Sequence, residues 1–246
     1  MFSRKNQSVI VMVIVALVVG AMVLTGLTST GGGSGDADDA GAGPEGSGEL
    51  ALRPIPAEDP IHELVRREAG DPLALGEEDA PVVMIEYADF QCAFCGGHAR
   101  GTHPELVEEY VEAGVLRIEF RNFPIYGPES DRAARAAWAA GQQGVFWEFY
   151  AAAFAEDAHQ GSGKYSEDGV LQLAEAAGVA DLERFAEDLE SAEAGESVER
   201  DANEGVDIGV ETAPAFLING HPVVGSQRVD VFRDAIDQLN PAADQN

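Results

Sequence analysis

The pattern of apolar and polar residues predicts a strand, a helix and a second strand in the first part of the folded region. Pro81–Tyr87 is an apolar run rich in β-branched residues, which predicts a buried strand. Residues 92–113 fit a helix that ends at Gly114. Val115–Phe120 alternates apolar and polar residues with a period of two, which predicts a strand with one solvated face.

The pattern becomes helical from Glu129 to about Gly209 and then returns to strand signals. The predicted helical segments are Asp131–Ala140, Val145–Ala155, Val170–Ala177, Leu182–Leu189 and Ala192–Gly205. Pro214–Ile218 and 221–224 are predicted strands, joined by Asn219-Gly220, a dipeptide typical of a type I′ hairpin turn. A last amphipathic helix is predicted over Val229–Leu239. The predicted order is therefore β-α-β, a helical block, and β-β-α.

The N-terminal part of the chain has the pattern of a membrane anchor. Residues 9–27 are nineteen mostly apolar residues without a charge, close to the roughly 20 residues that span a bilayer. Residues 1–8 carry Arg4 and Lys5, which predicts a cytoplasmic tip and an extracytoplasmic remainder. A cleaved signal peptide is the alternative interpretation, although no typical cleavage site follows Leu27.

The anchor is followed by segments that differ in composition. Residues 28–57 are rich in Gly, Ser, Asp and Ala and later in Pro, which predicts a disordered linker. Residues 58–79 form an N-terminal extension, with a short helix expected at Ile61–Ala69. The folded domain is expected over residues 80–246, with the helical insertion at about 129–209.

The net charge of the chain limits its possible binding partners. The chain has 44 acidic and 15 basic residues, a formal net charge of −29, and its only lysines are Lys5 and Lys164. Phosphate binding needs clusters of Lys and Arg, so nucleic acid is excluded as a partner. The acidic, lysine-poor composition resembles proteins of salt-in halophiles, and an ordinary acidic exported protein is the alternative.

The only two cysteines, Cys92 and Cys95, form a C-x-x-C motif between the first predicted strand and its helix. At a helix start, Cys92 is expected to be an exposed sulfur whose thiolate is favoured, and Cys95 a shielded partner that resolves a mixed disulfide. A structural zinc site needs about four ligands, and only His98 and His103 lie nearby in sequence. We therefore expect redox chemistry and no metal.

Three stretches together resemble a known family. They are Ile85-Glu86-Tyr87-Ala88-Asp89-Phe90-Gln91-Cys92-Ala93-Phe94-Cys95, Phe146-Trp147 and Thr212-Ala213-Pro214-Ala215-Phe216-Leu217-Ile218-Asn219-Gly220. In this order they resemble the thioredoxin fold with a helical insertion, and more narrowly the DsbA-like family of exported thiol-disulfide oxidoreductases. The resemblance covers about residues 72–240 and implies an α/β fold.

The resemblance also implies roles for individual residues. It implies that Glu86 is a partly buried carboxylate that relays protons to the second cysteine; an outward-facing strand residue is the alternative. It implies that Pro214 follows a cis peptide bond and faces the disulfide. The backbone of Ala213 would then pair with an extended substrate. Asp89 is expected to order the loop at the helix start rather than to move protons.

The residues between and around the cysteines bear on specificity and redox potential. Phe94, with Phe90, Phe123 and Tyr126, is expected either to rim an apolar peptide groove or to pack in the core. Strong oxidants of the family often carry Pro-His between the cysteines, whereas this chain has Ala93-Phe94. We therefore expect a less oxidising couple.

The sequence as a whole predicts a membrane-tethered, extracytoplasmic thiol-disulfide oxidoreductase. The redox-active pair Cys92–Cys95 would be its only cofactor, and its substrates would be cysteine pairs in exported proteins. A membrane quinone-linked partner would reoxidise it. The alternatives are a reductase or isomerase of the same fold, a peptide-binding module without turnover, and a metal carrier.

Overall fold

The structure is a computed structural model that describes residues 52–56, 58–157 and 160–241. The predicted tip 1–8, the predicted anchor 9–27 and most of the predicted linker lie outside the described residues. Among the residues that are described, no helix has both the length and the apolar character needed to cross a bilayer. The anchor therefore stays a prediction from the sequence.

Five strands of the described chain form one mixed sheet. They are β1 (Ala74–Leu75), β2 (Val82–Ala88), β3 (Leu116–Asn122), β4 (Ala215–Ile218) and β5 (His221–Val224). Their order across the sheet is β1-β3-β2-β4-β5. β2 and β3 run parallel, and the other neighbouring pairs run antiparallel. All seven residues of the central strand β2 are buried, as is typical of a strand covered on both faces.

Helices cover the sheet in the order that the sequence predicts. They are α1 (Ala93–Arg100), α2 (Thr102–Leu106), α3 (Pro128–Gly141), α4 (Phe146–Phe154), α5 (Glu167–Ala176), α6 (Leu182–Leu189), α7 (Ala192–Asp207) and α8 (Val229–Leu239). Helices α3 to α7 form the insertion between β3 and β4. The predicted order β-α-β, helical block, β-β-α is confirmed.

The prediction of one continuous helix over residues 92–113 is wrong. α1 ends at Arg100, Gly101 breaks the helix, and a π-helical turn at Val107–Val111 follows α2. The break has a steric cause, because Pro104 has no N–H to donate to the carbonyl of Arg100 and its ring would clash with that carbonyl. A second, short helix therefore begins at Thr102, directly after Gly101.

The prediction that β3 has a solvated face is also wrong, because all seven of its residues are buried. The N-terminal extension and α7 cover the polar face of the strand. The Glu119 carboxylate accepts hydrogen bonds from the backbone N–H groups of Arg66 and Arg67 at 3.0 and 2.8 Å. Arg121 donates to the Glu119 and Glu204 carboxylates at 2.8 and 3.0 Å. Charge pairing therefore replaces water on this face.

The same contacts explain why the helix predicted at Ile61–Ala69 is largely absent. The structure has a 3-10 helix only at Pro60–Leu64, after which the chain is not helical. The N–H groups of Arg66 and Arg67 donate to the carboxylate of Glu119 and so are not available for a helix ladder. The extension is thus tied to the edge of the sheet by side-chain acceptors.

The hairpin between β4 and β5 follows the sequence prediction. Asn219 and Gly220 both have positive φ, 44° and 86°, as a type I′ turn requires. The Asn219 side chain also accepts a hydrogen bond from the Val83 N–H at 2.8 Å and donates to the Pro81 carbonyl at 3.2 Å. The turn therefore holds β4 in register with the start of β2.

Candidate active site

The two cysteines lie where the central strand ends and a helix begins. β2 ends at Ala88, and Cys92 is the N-cap residue of α1. The Cys92 sulfur accepts a hydrogen bond from the backbone N–H of Cys95 at 3.3 Å. Both cysteines are free thiols in the structure. The pair thus has the position that the sequence predicts, next to the unpaired N–H groups of a helix start.

The environment of Cys92 favours its thiolate. A hydrogen bond with the Cys95 thiol is the main reason why the pKa of Cys92 falls to about 7, and the backbone N–H groups of Cys95 and Phe94 act in the same direction. Burial and the charge of Asp89 oppose this shift. A substantial part of Cys92 is therefore thiolate near neutral pH, and this form can act as a nucleophile or leaving group.

Cys95 has the opposite character. Its side chain is fully buried, and burial is the main reason why its pKa lies well above the ordinary value. Proximity to Cys92 and the charge of Glu86 raise this pKa as well. Cys95 is therefore a protonated thiol at neutral pH, so the two sulfurs are divided into a reactive one and a resolving one.

Cys92 is less accessible than the sequence predicts. It was expected to be an exposed sulfur, but only 4% of the residue is exposed. The Cys92 thiol donates a hydrogen bond to the Ala213 carbonyl at 3.2 Å, so the loop before β4 covers part of it.

The loop that faces Cys92 contains a cis peptide bond between Ala213 and Pro214, as the resemblance implies. Ala215 pairs with Tyr87 in the sheet, so the two residues before it lie beside the segment that follows β2. The Pro214 carbonyl accepts a hydrogen bond from the Gly225 N–H at 2.9 Å, which ties the loop to the end of β5. Sheet pairing thus places Ala213 opposite the cysteine.

Phe94 is the most exposed large apolar residue described, at 71% exposure, and Tyr126 is 37% exposed. Phe90 and Phe123 are buried, so for these two the alternative of core packing is the one that holds. Phe90 stacks on Phe154 with ring centroids 5.0 Å apart and belongs to the core. The apolar surface beside the cysteines is therefore formed by Phe94 and Tyr126.

Asp89 orders the loops next to the cysteines, as expected. Its carboxylate accepts hydrogen bonds from the Gln91 N–H and the Ser130 hydroxyl, both at 2.7 Å. It also accepts from the N–H groups of Ile125 and Tyr126 at 2.7 and 3.1 Å. One buried carboxylate thus fixes the start of α1, the loop after β3 and the first turn of α3 together.

Glu86 lies on β2 and is fully buried, so the alternative of an outward-facing residue is wrong. Burial raises its pKa to about 8, and a hydrogen bond donated by the Tyr150 hydroxyl to Glu86 Oε1, at 3.1 Å, partly opposes this shift. Its charge also contributes to the raised pKa of Cys95, so the two groups interact. The carboxyl group can therefore exchange a proton near neutral pH.

Three residues around Glu86 were missed as partners by the sequence reasoning. Tyr150 holds one carboxyl oxygen of Glu86. His98 and His103 are buried beside Glu86, and one ligand atom from each of the three lies within 4.8 Å of the others. The sequence could have indicated the two histidines, because both closely follow the C-x-x-C motif. Nothing in the sequence linked Tyr150 to Glu86, because the two residues are far apart in the chain.

Comparisons with known proteins identify the family of the chain. The family profile described as Thioredoxin matches residues 68–238. The probable disulfide bond formation protein D of Bacillus anthracis is 32% identical over 173 residues, which cover 67% of this chain and 76% of that protein.

Solved structures show the same fold. BdbD from Bacillus subtilis in its oxidised form superposes with a TM-score of 0.64 at 22% identity, covering 69% of this chain and 92% of that one. A thioredoxin-like oxidoreductase from Silicibacter pomeroyi DSS-3 has a TM-score of 0.59 at 30% identity, covering 70% and 97%. From the family profile, the sequence relatives and the fold together, the chain belongs to the thioredoxin family and, within it, to the DsbA-like thiol-disulfide oxidoreductases.

Proposed function

We propose that the protein exchanges a Cys92–Cys95 disulfide with cysteine pairs of exported proteins on the extracytoplasmic side of the membrane. The observation that carries this proposal is the thiol of Cys92 at the start of α1, 3.2 Å from the Ala213 carbonyl. This arrangement puts a sulfur with a lowered pKa beside a strand-like segment that can receive an extended peptide.

The exchange has two steps. A substrate thiolate attacks Cys92 of the oxidised pair, the Cys92–Cys95 bond breaks, and the electron pair leaves on Cys95. A second substrate thiolate then attacks the substrate sulfur of the mixed disulfide and expels Cys92 as thiolate. Two electrons pass from the substrate to the pair, and the substrate gains a disulfide. The lowered pKa of Cys92 makes it a good leaving group.

Glu86 is the group that we assign to proton transfer with Cys95. The leaving Cys95 thiolate is buried and needs a proton at once, since its pKa is well above the ordinary value. Glu86 is buried on the same side, interacts electrostatically with Cys95 and is held by Tyr150. In the reverse direction the carboxylate takes the proton back when Cys95 attacks a mixed disulfide.

Substrate docking is assigned to the backbone of Ala213 next to Pro214 and to the exposed Phe94. An extended substrate segment would lie along this loop as an added strand, with its cysteine over Cys92. Phe94 and the half-exposed Tyr126 offer apolar contacts on the opposite side. Backbone pairing does not depend on substrate side chains, so it suits an enzyme that acts on many exported proteins.

The substitution Cys95→Ser tests the proposal. Without the resolving sulfur, Cys92 is expected to accumulate mixed disulfides with exported proteins, visible as reducible adducts on non-reducing gels. Cys92→Ser is the matched control and is expected to form none. A Cys95→Ser protein that forms no adducts in its own cells would support the peptide-binding module instead and would contradict the enzyme reaction.

A reductase or isomerase is the second candidate, because the pKa of Cys92 falls only to about 7. This value matches the about 7 of thioredoxin, a reductant, rather than the about 3.5 of the strong oxidant DsbA. The direction of net electron flow depends on the potential of the pair relative to its compartment. A membrane redox partner would supply or remove the electrons in either case.

The tether is part of the same proposal. Residues 9–27 anchor the protein, and residues 28–57 hold the domain within reach of the membrane face. Alkaline carbonate extraction of membranes is expected to leave the full-length chain in the pellet, and an added protease is expected to digest it from the outside only. A chain released into the soluble fraction that lacks its first residues would support the cleaved signal peptide.

A further inference from the structure

Behind the cysteine pair, three buried side chains have polar atoms without a hydrogen-bond partner. These atoms are Glu86 Oε2, both ring nitrogens of His98 and Nδ1 of His103. Glu86 and His98 are fully buried, and His103 is 8% exposed. Almost all buried polar atoms in folded proteins are paired, so four unpaired atoms in one place indicate a ligand. The exchange reaction uses neither histidine.

The three side chains come from three different elements and converge on one point. Glu86 is on β2, His98 on α1 and His103 on α2. In a regular helix, residues five apart point about 140° away from each other. The break at Gly101 changes this direction, so that the two imidazole rings lie 6.3 Å apart. His98 Nε2 is 4.0 Å from Glu86 Oε2, and the three ligand atoms lie within 4.8 Å of one another.

Neighbouring side chains hold each of these groups in place. The Tyr150 hydroxyl donates to Glu86 Oε1 and leaves Oε2 to face His98. His103 stacks on Trp147 with ring centroids 5.2 Å apart and an interplanar angle of 19°. His98 packs against Phe216, 4.5 Å away. Such outer contacts orient ligands in metal sites and reduce the motion lost on binding.

The donor set selects the kind of ion. Neither ring nitrogen of His98 nor Nδ1 of His103 has a hydrogen-bond partner, so each imidazole can offer a nitrogen lone pair to an ion. Two imidazole nitrogens and one carboxylate oxygen suit Zn²⁺ and related transition metals, whereas Mg²⁺ and Ca²⁺ prefer oxygen ligands only. A small inward shift of the three groups brings their atoms to Zn²⁺ bonding distances of about 2.0–2.2 Å.

A surface groove next to His103 gives an ion a way in. Tyr150 lines this groove, and Glu108 and Glu112 lie at its exposed side. Carboxylates at the opening attract a dication, and the net charge of −29 adds to that attraction. The ligand atoms are therefore buried, and His103 itself lines the groove that opens to solvent.

We propose that Glu86, His98 and His103 bind one Zn²⁺-type transition-metal dication directly behind the Cys92–Cys95 pair. The ion satisfies the unpaired atoms, and solvent takes its fourth position. Binding displaces the proton of Glu86, so the proton transfer with Cys95 that we assign to this residue belongs to the metal-free protein. The cysteines take no part in binding. The proposal departs from the expectation, drawn from sequence spacing, that the chain binds no metal.

The test is calorimetric titration of Zn²⁺ into the full-length protein with its cysteines oxidised, in excess Mg²⁺ to occupy surface carboxylates. The expected result is one Zn²⁺ per chain for the wild type. His98→Phe and His103→Gln are each expected to weaken binding by about 100-fold or more, since each removes a ligand. Co²⁺ bound at the site is expected to give visible d–d bands without a thiolate charge-transfer band.

His62→Ala is the matched control, because His62 is exposed and lies outside the cluster; it is expected to bind Zn²⁺ like the wild type. Circular dichroism confirms that each variant is folded, and His103→Gln, at the edge of the core, keeps the test valid if His98→Phe does not fold. Absence of stoichiometric binding to the wild type, or unchanged binding by folded His103→Gln, overturns the site. The Cys95→Ser trapping experiment is run with a chelator, so the site and the proposed function fail separately.

Discussion

At the scale of single residues, the redox chemistry depends on the different environments of two cysteine thiols. Cys92 caps a helix and has its pKa lowered, whereas Cys95, three residues later, is fully buried and has its pKa raised. The motif spacing indicates which sulfur lies at the helix start. The size and sign of each shift come from burial and from hydrogen bonds that only the folded chain makes.

The pH dependence of Cys92 alkylation follows from this difference. In the reduced protein, the rate of reaction with iodoacetamide is expected to rise with pH around a midpoint of about 7, as the thiolate forms. Cys95→Ala removes the hydrogen bond that lowers this pKa most, so its midpoint is expected to move upward. His62→Ala is the control and should match the wild type. A Cys95→Ala midpoint at or below that of the wild type would contradict the assignment.

The reduction potential is expected to be less oxidising than that of strong oxidants of the family. Neither Ala93 nor Phe94 has a side chain that can donate a hydrogen bond to a thiolate. Equilibration with glutathione is expected to give a reduction potential more negative than about −120 mV, which is the value of DsbA. The double substitution Ala93→Pro and Phe94→His is expected to make the pair more oxidising. A wild-type reduction potential near −120 mV would contradict this interpretation.

At the scale of secondary-structure elements, the N-terminal extension and β3 depend on each other. The polar face of β3 is buried only because Arg66 and Arg67 of the extension and Glu204 of α7 pair with it. Alternation along β3 correctly predicts a strand. It does not show whether water or another segment of the chain covers the polar face. The extension likewise loses its predicted helix to these long-range contacts.

Glu119→Gln is expected to destabilise the fold by about 3–5 kcal/mol at neutral pH, because it leaves buried arginines without their partner. Burial alone would raise the pKa of Glu119, but the N–H groups of Arg66 and Arg67 and the Arg121 guanidinium bring it down to about 2. A lowered pKa contributes stability above the unfolded value near 4.3, and this contribution is lost as pH falls toward 2.

Urea unfolding at a series of pH values measures this effect. The difference in the free energy of unfolding between the wild type and Glu119→Gln is expected to shrink from about pH 4.3 to about pH 2. Glu187→Gln on α6 is the control, because Glu187 is exposed, and it should change stability little. A constant difference across this pH range would show that the Glu119 charge does not hold the extension.

At the scale of the whole molecule, the main feature is the formal net charge of −29. Unscreened repulsion between like charges opposes the compact state. Salt shortens the range of this repulsion to about 3 Å at 1 M. We therefore expect the fold to require concentrated salt, as in proteins of salt-in halophiles.

Thermal unfolding in KCl tests this expectation. The melting midpoint is expected to rise between 0.1 M and 3 M KCl, with most of the rise from screening below about 1 M. An equally concentrated sucrose series is the control, since sucrose favours compact states without screening charge. A midpoint that stays constant from 0.1 M to 3 M KCl would defeat the idea and favour an ordinary acidic exported protein.

The sequence by itself determined the features that local interactions control. These include the strand that leads to Cys92, the helix start at the motif, the order of the elements, and the Asn219-Gly220 turn. Each depends on periodicity, capping or turn chemistry within about ten residues, so it can be predicted without knowing the fold.

The family resemblance implied that Pro214 faces the disulfide, but only the tertiary structure decided which atoms of distant groups make contact. The Ala213 carbonyl reaches Cys92 through sheet pairing, Tyr150 reaches Glu86 from the helical insertion, and two histidines on separate helices converge on the same carboxyl group. Burial and pKa follow from these encounters, because desolvation and hydrogen bonding depend on neighbours far away in the chain. The sequence thus identifies the reacting sulfurs, and the fold determines their reactivity.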